Sequence, residues 1–463
     1  MREERTGPSG VERLAAHIKQ LDNNPLSDKT ARAARLCLLD TLGVGLYGST
    51  QPEAEMLLHA VRPLGSGSVS VWGTDTKLEA GNAALVCGSL CHLRELDDVH
   101  YAILHTGCVC VPALMAAAEG TSATLGDLLR SIVNGVEVMA RISFGMDYME
   151  HRELGWHGTA TCGAFGAAAS AGYLLGLDQE QLTDALGIAG SRTGGTWAFA
   201  ADGSMSKRLH PGLAARDGLL AAHLAKAGIC GPRMVLEAVD GGFYRLFTSE
   251  WDIERVLAAG ERPEVENVEF KWFASCKSVH SPITAALQIR GEHPDKHPDE
   301  IERIRVEVNR SAVSMAGNQY DEDSVVSAQI SIPYGVALGL LGREGQAEDY
   351  SFESLRDPAI RKIADLVEIE ESEEFNRIRE VEHLSGARVT VYWKDGSTGA
   401  AKITRPKGAL GNPLSEQDVL DKFLGLASAA IGKAQAEQLL QLIMDGEESV
   451  PAERLIALLR PQK

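Results

Sequence analysis

The segment RELDDVHYAILHTG, residues 94–107, places three acids and two histidines within fourteen residues. An apolar, alanine-rich run follows at once and predicts a helix that begins beside His105. We expect Thr106 to cap this helix, whose positive end would favour a neutral His105 able to act as a base. Glu95 and Asp97 are close enough in sequence to hold the imidazole ring. The simpler alternative is a polar loop with a capping threonine.

A metal site is a second interpretation of the same segment. His92, Asp97, His100 and His105 offer ligands, and four cysteines lie between residues 87 and 110. The spacing matches neither a CxxC pair nor an HExxH motif, which are the usual signatures of zinc sites. We therefore predict that the protein binds no metal.

A second histidine stands in the segment GWHGTATCG, residues 155–163. His157 precedes a run of small residues that is expected to form a helix, so it repeats the arrangement of a histidine at a helix entrance. The alternative is a histidine that only packs against Trp156.

Cations cluster in DGSMSKRLHPG, residues 202–212, ahead of a helix predicted over residues 217–228. Lys207 and Arg208 could bind carboxylates, the lysine as a point charge and the arginine as a bidentate fork. A solvated turn is the alternative.

Two further segments carry candidate residues. FKWFASCKSVHSP, residues 270–282, sets Lys271 and His280 among aromatic and small residues, which suggests partial burial towards a cleft. Tyr334 lies near the start of the apolar helix predicted over residues 331–342. Its phenol could donate a proton, or it could be a core tyrosine with a satisfied hydroxyl.

Composition excludes several classes of protein. A formal net charge of −19 argues against binding to nucleic acid or to an anionic membrane surface. The first ten residues lack the apolar core of a signal peptide, and the uncharged stretch 157–177 is too weakly apolar to predict a membrane span. The eight scattered cysteines are expected to be reduced, and we predict a cytoplasmic protein. No phosphate-binding loop, dinucleotide fingerprint or GxSxG elbow is present.

The hydrophobic pattern predicts a mainly α fold. Helical periodicity dominates residues 11–245 and returns after residue 415, whereas residues 301–308, 366–375 and 387–404 have strand character with one helix among them. Asp395-Gly396 predicts a hairpin turn. We therefore expect a large all-helical domain (residues 1–265 and 406–463) with an inserted smaller α+β lid domain (residues 266–405). A crevice between two domains is a usual place for a small-molecule site.

Several segments, taken in order, resemble the MmgE/PrpD family over nearly the whole chain. They are LCLLDTLGVGLYGS, LDDVH with the later histidine, GWHGTATCGAFGAAASAGYLLGLD, SMSKRLHPGLAARDGLLAAHLAKAG, FKWFASCKSVHSPI, SAQISIPYGVALGLL and GNPLS. Members include 2-methylcitrate dehydratases, cis-aconitate decarboxylases and iminodisuccinate epimerases. The resemblance implies a homodimer without metal or cofactor, built from a helical domain and a smaller lid domain.

The resemblance also implies which positions line the active site. They are Glu95, Val99, His105, His157, Lys207, Lys271 and Tyr334. Glu95 replaces a usual aspartate, Val99 stands where a threonine is common, and His105-Thr106-Gly107 replaces a usual His-Pro-Ser. These departures fall in the loop expected to face the substrate, so they bear more on the identity of the substrate than on the chemistry.

These observations lead to a hypothesis about function. The expected activity is that of a lyase that dehydrates or decarboxylates a small di- or tricarboxylate by acid–base chemistry next to a carboxylate. His105 and His157 would transfer protons, and Tyr334 would donate a proton or a hydrogen bond from the lid side. The remaining roles are carboxylate binding by Lys207, Lys271, Arg208 and His280, and orientation of the His105 loop by Asp97 and Glu95. The alternatives are an epimerase of an amino- or imino-dicarboxylate, a non-catalytic carboxylate-binding protein and a metal-dependent hydrolase.

Overall fold

A computed structural model describes residues 7–258, 260 and 262–461, and within them helices predominate. The helices are α1 (Gly10–Asp22), α2 (Asp28–Ser49), α3 (Pro52–Val61), α4 (Ala80–His92), α5 (Gly107–Ala118), α6 (Leu125–Phe144), α7 (Tyr148–Glu153), α8 (Gly158–Leu174), α9 (Gln179–Gly190), α10 (Phe199–Asp202), α11 (Ser206–Lys226), α12 (Phe243–Phe247), α13 (Lys277–Glu292), α14 (Arg310–Ala316), α15 (Val325–Gln329), α16 (Ile332–Leu340), α17 (Phe352–Leu355), α18 (Pro358–Ala364), α19 (Glu373–Glu382), α20 (Glu416–Ile431), α21 (Lys433–Asp445) and α22 (Ala452–Ala457). The strands are β1 (Ser66–Ser70), β2 (Lys77–Leu78), β3 (Val99–His100), β4 (Val268–Glu269), β5 (Ile301–Val308), β6 (Val367–Glu371), β7 (Ala387–Trp393) and β8 (Thr398–Ile403). The prediction of a mainly α protein is confirmed.

Helix α8 forms the centre of the N-terminal part. It packs against α5, α6, α9 and α11, and every residue from 158 to 172 is buried. Its glycines were expected where another helix backbone approaches. At Gly166 this is confirmed, because an added Cβ would lie 2.8 Å from the backbone oxygen of Gly135 in α6. At Gly163 the close neighbour is the side chain of Ala214 in α11. Gly172 differs, since its neighbour is Leu177 just beyond the end of the same helix.

Helix α11 begins earlier than predicted. The segment containing Lys207, Arg208 and His210 was interpreted as a turn, but it forms the first turns of α11. Pro211 is the sixth residue of α11, so it lacks the N–H that would donate to the backbone oxygen of Lys207, and the helix continues through it. The cations therefore project from a helix and not from a solvated loop.

The N-terminal part was predicted to be all-helical, but it also contains short strands. β1 and β2 form a small antiparallel pair, and β3 pairs antiparallel with β4. In the second pair Val99 lies opposite Glu269, and His100 lies opposite Val268. β2, β3 and β4 have two residues each and leave no periodic signal, and β1, with the sequence SGSVS, lacks the alternation of apolar residues that predicts a strand. This pairing joins the His105 loop to the segment that leads into the C-terminal part.

The C-terminal part contains a four-stranded sheet in the order β6–β5–β7–β8. The strands predicted at residues 301–308 and 387–404 are confirmed, as is the hairpin, whose turn residue Gly396 has a φ of +85°. β7 alternates between buried and half-buried residues, and α13 packs on β7 and β8. Helices α13 to α19 belong to this part, so the prediction of one helix among the strands is wrong. The strand expected over 366–375 ends at Glu371 and gives way to α19.

After the sheet the chain returns to the N-terminal helices. α20 and α21 pack on α2, and α22 contacts α5. The division into domains at residues 265 and 405 stays a prediction. Among the described residues, none of the helices combines the length and the apolar character needed to cross a bilayer.

Candidate active site

A cavity lies between the helical N-terminal part and the C-terminal part. One wall comes from the loop after α4 and from the starts of α8 and α11, and the other from residues between 269 and 409. Five of the predicted site residues line it: Glu95, Val99, His105, His157 and Lys207. The β3–β4 pair places Val99 on this wall, while Asp97, Arg208 and Lys271 are buried behind it.

Asp97 binds two histidines. Its Oδ2 lies 2.8 Å from Nδ1 of His92 and 3.2 Å from Nδ1 of His105, and Nδ1 of His105 also lies 2.8 Å from the backbone oxygen of Asp98. Since carboxylate and carbonyl oxygens accept hydrogen bonds, Nδ1 of each ring carries the proton. Nε2 of His105 is then the nitrogen left to exchange a proton with a substrate. The prediction that Asp97 orients His105 agrees with these contacts.

The carboxylate of Asp98 caps helix α5. It accepts hydrogen bonds from the hydroxyl of Thr106 and from the backbone N–H of Gly107, at 2.7 and 2.9 Å. Thr106 was expected to cap this helix, but it makes no capping hydrogen bond to the backbone and instead donates to Asp98. Burial raises the pKa of Asp98 to about 7, although the hydrogen bond from Thr106 opposes this. The segment after Asp98 is thereby tied to the start of α5.

His157 forms a pair with His210. Their Nδ1 atoms are 2.9 Å apart, so one ring donates its proton to the other. Burial lowers the pKa of His157 well below its ordinary value, and burial lowers that of His210 to about 4. Both rings are therefore neutral near pH 7. The alternative interpretation, in which His157 only packs against Trp156, does not account for this hydrogen bond to His210. The aromatic rings that contact His157 edge-on are those of Trp197 and Phe199.

Glu95 is the centre of a buried ionic cluster. Its carboxylate accepts hydrogen bonds from Lys207 and Arg208, and from Lys271 at 2.9 Å. Burial alone would raise the pKa of Glu95, but the three cations hold it well below its ordinary value. Glu95 was expected to orient the His105 loop. Its contacts favour a different role: Glu95 positions the three buried cations, because all three bind its carboxylate.

The backbone around this loop is strained. Glu95 and Ile103 have φ values of +54° and +61°, a region that side chains other than glycine seldom adopt. Such conformations cost about 1–3 kcal/mol each and persist where surrounding contacts determine them. The ionic cluster supplies those contacts at Glu95.

The two lysines respond differently to burial. Burial lowers the pKa of Lys207, with Glu95 opposing it. For Lys271 burial acts in the same direction, but Glu95 and Asp97 outweigh it and its pKa is raised. Lys271 is therefore the firmly charged member, whereas Lys207, which lines the cavity, loses its proton more readily.

Two predicted residues lie away from the cavity wall. The hydroxyl of Tyr334 donates to the backbone oxygen of Asp349 at 2.5 Å, among the rings of Tyr320 and Tyr350. His280 is fully buried, its Nε2 lies 3.2 Å from the backbone oxygen of Ser275, and burial lowers its pKa well below its ordinary value. A neutral, buried imidazole is not a carboxylate-binding cation. Tyr334 fits the alternative of a core tyrosine with a satisfied hydroxyl.

One group of donor atoms behind the cavity merits comparison with a metal site. Single atoms of His92, Asp97 and Cys108 lie within 4.8 Å of one another. Burial raises the pKa of Cys108 well above its ordinary value, and its thiol donates to the backbone oxygen of His105. Metals bind the thiolate, and Asp97 is already shared by two histidines. The donor set therefore suits a hydrogen-bonded cluster better than a metal.

Sequence reasoning gave His92 and His210 no catalytic role. His92 was considered only as a metal ligand, yet its Nδ1 binds the same oxygen of Asp97 that contacts His105. His210 follows Lys207 by three residues, a spacing that places both on one face of a helix. That signal could have been used if the helix had been predicted to start at Ser206.

Comparison with known proteins identifies the family of the chain. Residues 12–255 match the MmgE/PrpD N-terminal domain, and residues 273–446 match the MmgE/PrpD C-terminal domain. The chain is 28% identical to cis-aconitate decarboxylase of Aspergillus terreus over 97% of this chain and 96% of the relative. Identity to the human cis-aconitate decarboxylase is 28%, over 97% and 94%. The 2-methylcitrate dehydratase of Escherichia coli K12 is 23% identical, over 91% of each chain. The chain belongs to the MmgE/PrpD family.

Proposed function

We propose that this protein is a lyase that decarboxylates or dehydrates a small di- or tricarboxylate by proton transfer at a carbon next to a carboxylate. The observation that carries the proposal is His105, whose Nδ1 donates to the backbone oxygen of Asp98 at 2.8 Å and lies 3.2 Å from Asp97, which leaves Nε2 to exchange a proton. His157 and Lys207 line the same cavity. The relatives named cis-aconitate decarboxylase and 2-methylcitrate dehydratase support this class of reaction.

In a decarboxylation the C–C bond to one carboxylate breaks and CO₂ leaves. The electron pair stays on the substrate as an enolate-like carbanion conjugated with a remaining carboxylate, and a histidine N–H gives its proton to the carbon at the other end. In a dehydration, one histidine removes the C–H proton while the second protonates the departing hydroxyl, which leaves as water. Transfer by a positioned acid or base contributes about 10²–10⁴-fold to such rates.

The ionic cluster supplies the charge that both reactions need. Three cations, Lys207, Arg208 and Lys271, share the single carboxylate of Glu95, so positive charge predominates in the cluster. A fixed positive field stabilises the negative charge that develops on the substrate, and it acts most strongly where water is excluded. Decarboxylation is favoured over dehydration because the cis-aconitate decarboxylases are the more similar of these relatives.

We propose further that the reaction uses no metal, because the histidines and cations supply both proton transfer and charge stabilisation. Protein dialysed against EDTA and assayed in chelator-treated buffer is expected to keep its full rate. A loss that is restored by one divalent metal would contradict this and would favour the metal-dependent hydrolase. The homodimer and the cytoplasmic location stay predictions.

The activity is tested with a panel of polycarboxylates followed by proton NMR in D₂O. cis-Aconitate, 2-methylcitrate, citrate and iminodisuccinate are the probes. We expect one of the first three to lose CO₂ or water, with deuterium entering the product of a decarboxylation at carbon. Exchange of the Cα proton of iminodisuccinate without loss of water or CO₂ would indicate an epimerase. Stabilisation by a probe that is never turned over would indicate a binding protein.

A further inference from the structure

We propose that Arg379, on the C-terminal wall of the cavity, forms a second anion subsite that binds a carboxylate of the substrate. This proposal rests on the proposed function and deepens it, because it names the group that would recognise the second carboxylate. Arg379 lies near the end of α19 and lines the same cavity as His105 and His157.

Arg379 differs from the other cations of the cavity wall in having no carboxylate partner among the described residues. Lys207 binds Glu95, and Nζ of Lys277 lies 2.8 Å from Oε2 of Glu269. The hydrogen bond of the Arg379 side chain runs from Nη1 to the backbone oxygen of His383, at 2.9 Å. An arginine has five N–H donors, so most of this guanidinium is left to bind a ligand.

Glu269, whose charge acts on Arg379, forms no ion pair with it. Glu269 also lines the cavity, but its Oε2 is paired with Lys277 and its Oε1 accepts a hydrogen bond from the backbone N–H of Leu410 at 2.5 Å. Both oxygens are therefore engaged. The charge of Arg379 stays available to an anion that enters the cavity.

The local backbone holds the guanidinium in place. α19 ends at Glu382, and the next residue, His383, has a left-handed φ of +56° and presents its carbonyl oxygen to Arg379. Burial lowers the pKa of Arg379, while Tyr148 and Glu269 oppose this. A guanidinium stays protonated in proteins, so the partly buried group gains most from an ionic partner.

The cations around Glu95 explain why the substrate would need a second anion subsite. Lys207, Arg208 and Lys271 already bind Glu95, so they are poorly placed to hold every carboxylate of a polycarboxylate. A substrate carboxylate bound as a fork to Arg379 would span the cavity from the C-terminal wall towards the histidines. The preferred substrate therefore carries at least two carboxylates, one of which does not react.

The test is equilibrium binding of two unreactive probes, glutarate and its monomethyl ester, measured by titration calorimetry. In Arg379→Gln we expect glutarate to bind about 10- to 100-fold more weakly, as for loss of a charged hydrogen bond, with the ester unchanged. Arg379→Lys keeps the charge and should recover part of the affinity. The matched control is Arg377→Gln, an exposed arginine on the same helix, which should leave both affinities unchanged.

Three results would overturn the subsite: equal binding of glutarate by Arg379→Gln and Arg377→Gln, equal weakening of both probes, or no binding of either probe to the unaltered protein. If the binding difference is found but the NMR panel detects no turnover, the proposed function fails and the anion subsite stands.

Discussion

Oδ2 of Asp97 lies 3.2 Å from Nδ1 of His105, and together with the backbone oxygen of Asp98 at 2.8 Å it determines which nitrogen of the ring can do chemistry. Oδ2 of Asp97 also lies 2.8 Å from Nδ1 of His92, so one buried carboxylate orients two imidazoles. Burial alone would raise the pKa of Asp97, but the two histidines hold it well below its ordinary value. An ionised Asp97 keeps the proton of His105 on Nδ1 and leaves Nε2 to act on the substrate.

Replacing Asp97 by Asn tests this relationship. The amide removes the negative charge that supports an imidazolium at His105, while the backbone oxygen of Asp98 still accepts the Nδ1 proton. We expect kcat to fall about 10²–10⁴-fold with a smaller change in KM. Asp240→Asn, an exposed aspartate in a turn, is the control. A variant Asp97→Asn that folds and keeps the original kcat would show that the contact has no role in orienting the base.

The Glu95 cluster predicts a large effect on stability. Glu95→Gln leaves three buried cations without their carboxylate, and breaking a buried ion pair in this way costs about 3–5 kcal/mol. Urea denaturation should show this loss, and Lys271→Met in the same chain should restore part of it, since the surplus charge is reduced. The exposed pair of Arg13 and Glu254 is the control, and Glu254→Gln should change the free energy of unfolding little. Equal effects of the two substitutions would contradict the cluster.

His151 predicts a pH dependence of stability. It is fully buried, lies 3.0 Å from the hydroxyl of Thr161, and burial lowers its pKa to about 4. Between pH 6.5 and 4 the unfolded chain binds a proton at this residue that the folded chain does not, so its contribution to stability is present above pH 6.5 and is lost as the pH falls. The advantage of the unaltered protein over His151→Asn should shrink by about 2 kcal/mol between pH 7 and 5.

Urea denaturation at the two pH values measures this difference, with His223→Asn as the control for loss of an exposed imidazole. A difference between the unaltered protein and His151→Asn that does not change with pH would mean that His151 is not held neutral by the fold.

Much of the fold follows from local sequence patterns. The hydrophobic pattern predicts the helical character of the segments that form α2 and α8, and it places the hairpin of β7 and β8, because each element is long enough to bury one face or all of its surface. The pairing of β3 with β4 leaves no such trace, since it joins residues 99–100 to residues 268–269. The start of α11 was missed because Pro211 lies inside this helix, a position that prolines seldom occupy.

The sequence predicted many of the site residues but few of the contacts between them. The histidines and lysines were identified, but Glu95 meets its cations across 112 to 176 residues of chain, a distance over which no local pattern predicts a pairing. The sequence therefore suggested that the lysines bind only substrate, whereas in the fold they also bind Glu95. Tyr334 was expected to donate from the lid side of the site, but its hydroxyl donates to the backbone of Asp349. An apolar helix predicts that a tyrosine is buried, but not which group its hydroxyl contacts.

The most direct test of the account is the rate of product formation by His105→Gln and His157→Gln, measured by proton NMR with the substrate that the panel identifies. If the two rings transfer protons in this cavity, each variant should fold, bind substrate and lose about 10²–10⁴-fold in kcat. If both variants fold and form product at the rate of the unaltered protein, the assignment of His105 and His157 to proton transfer is wrong.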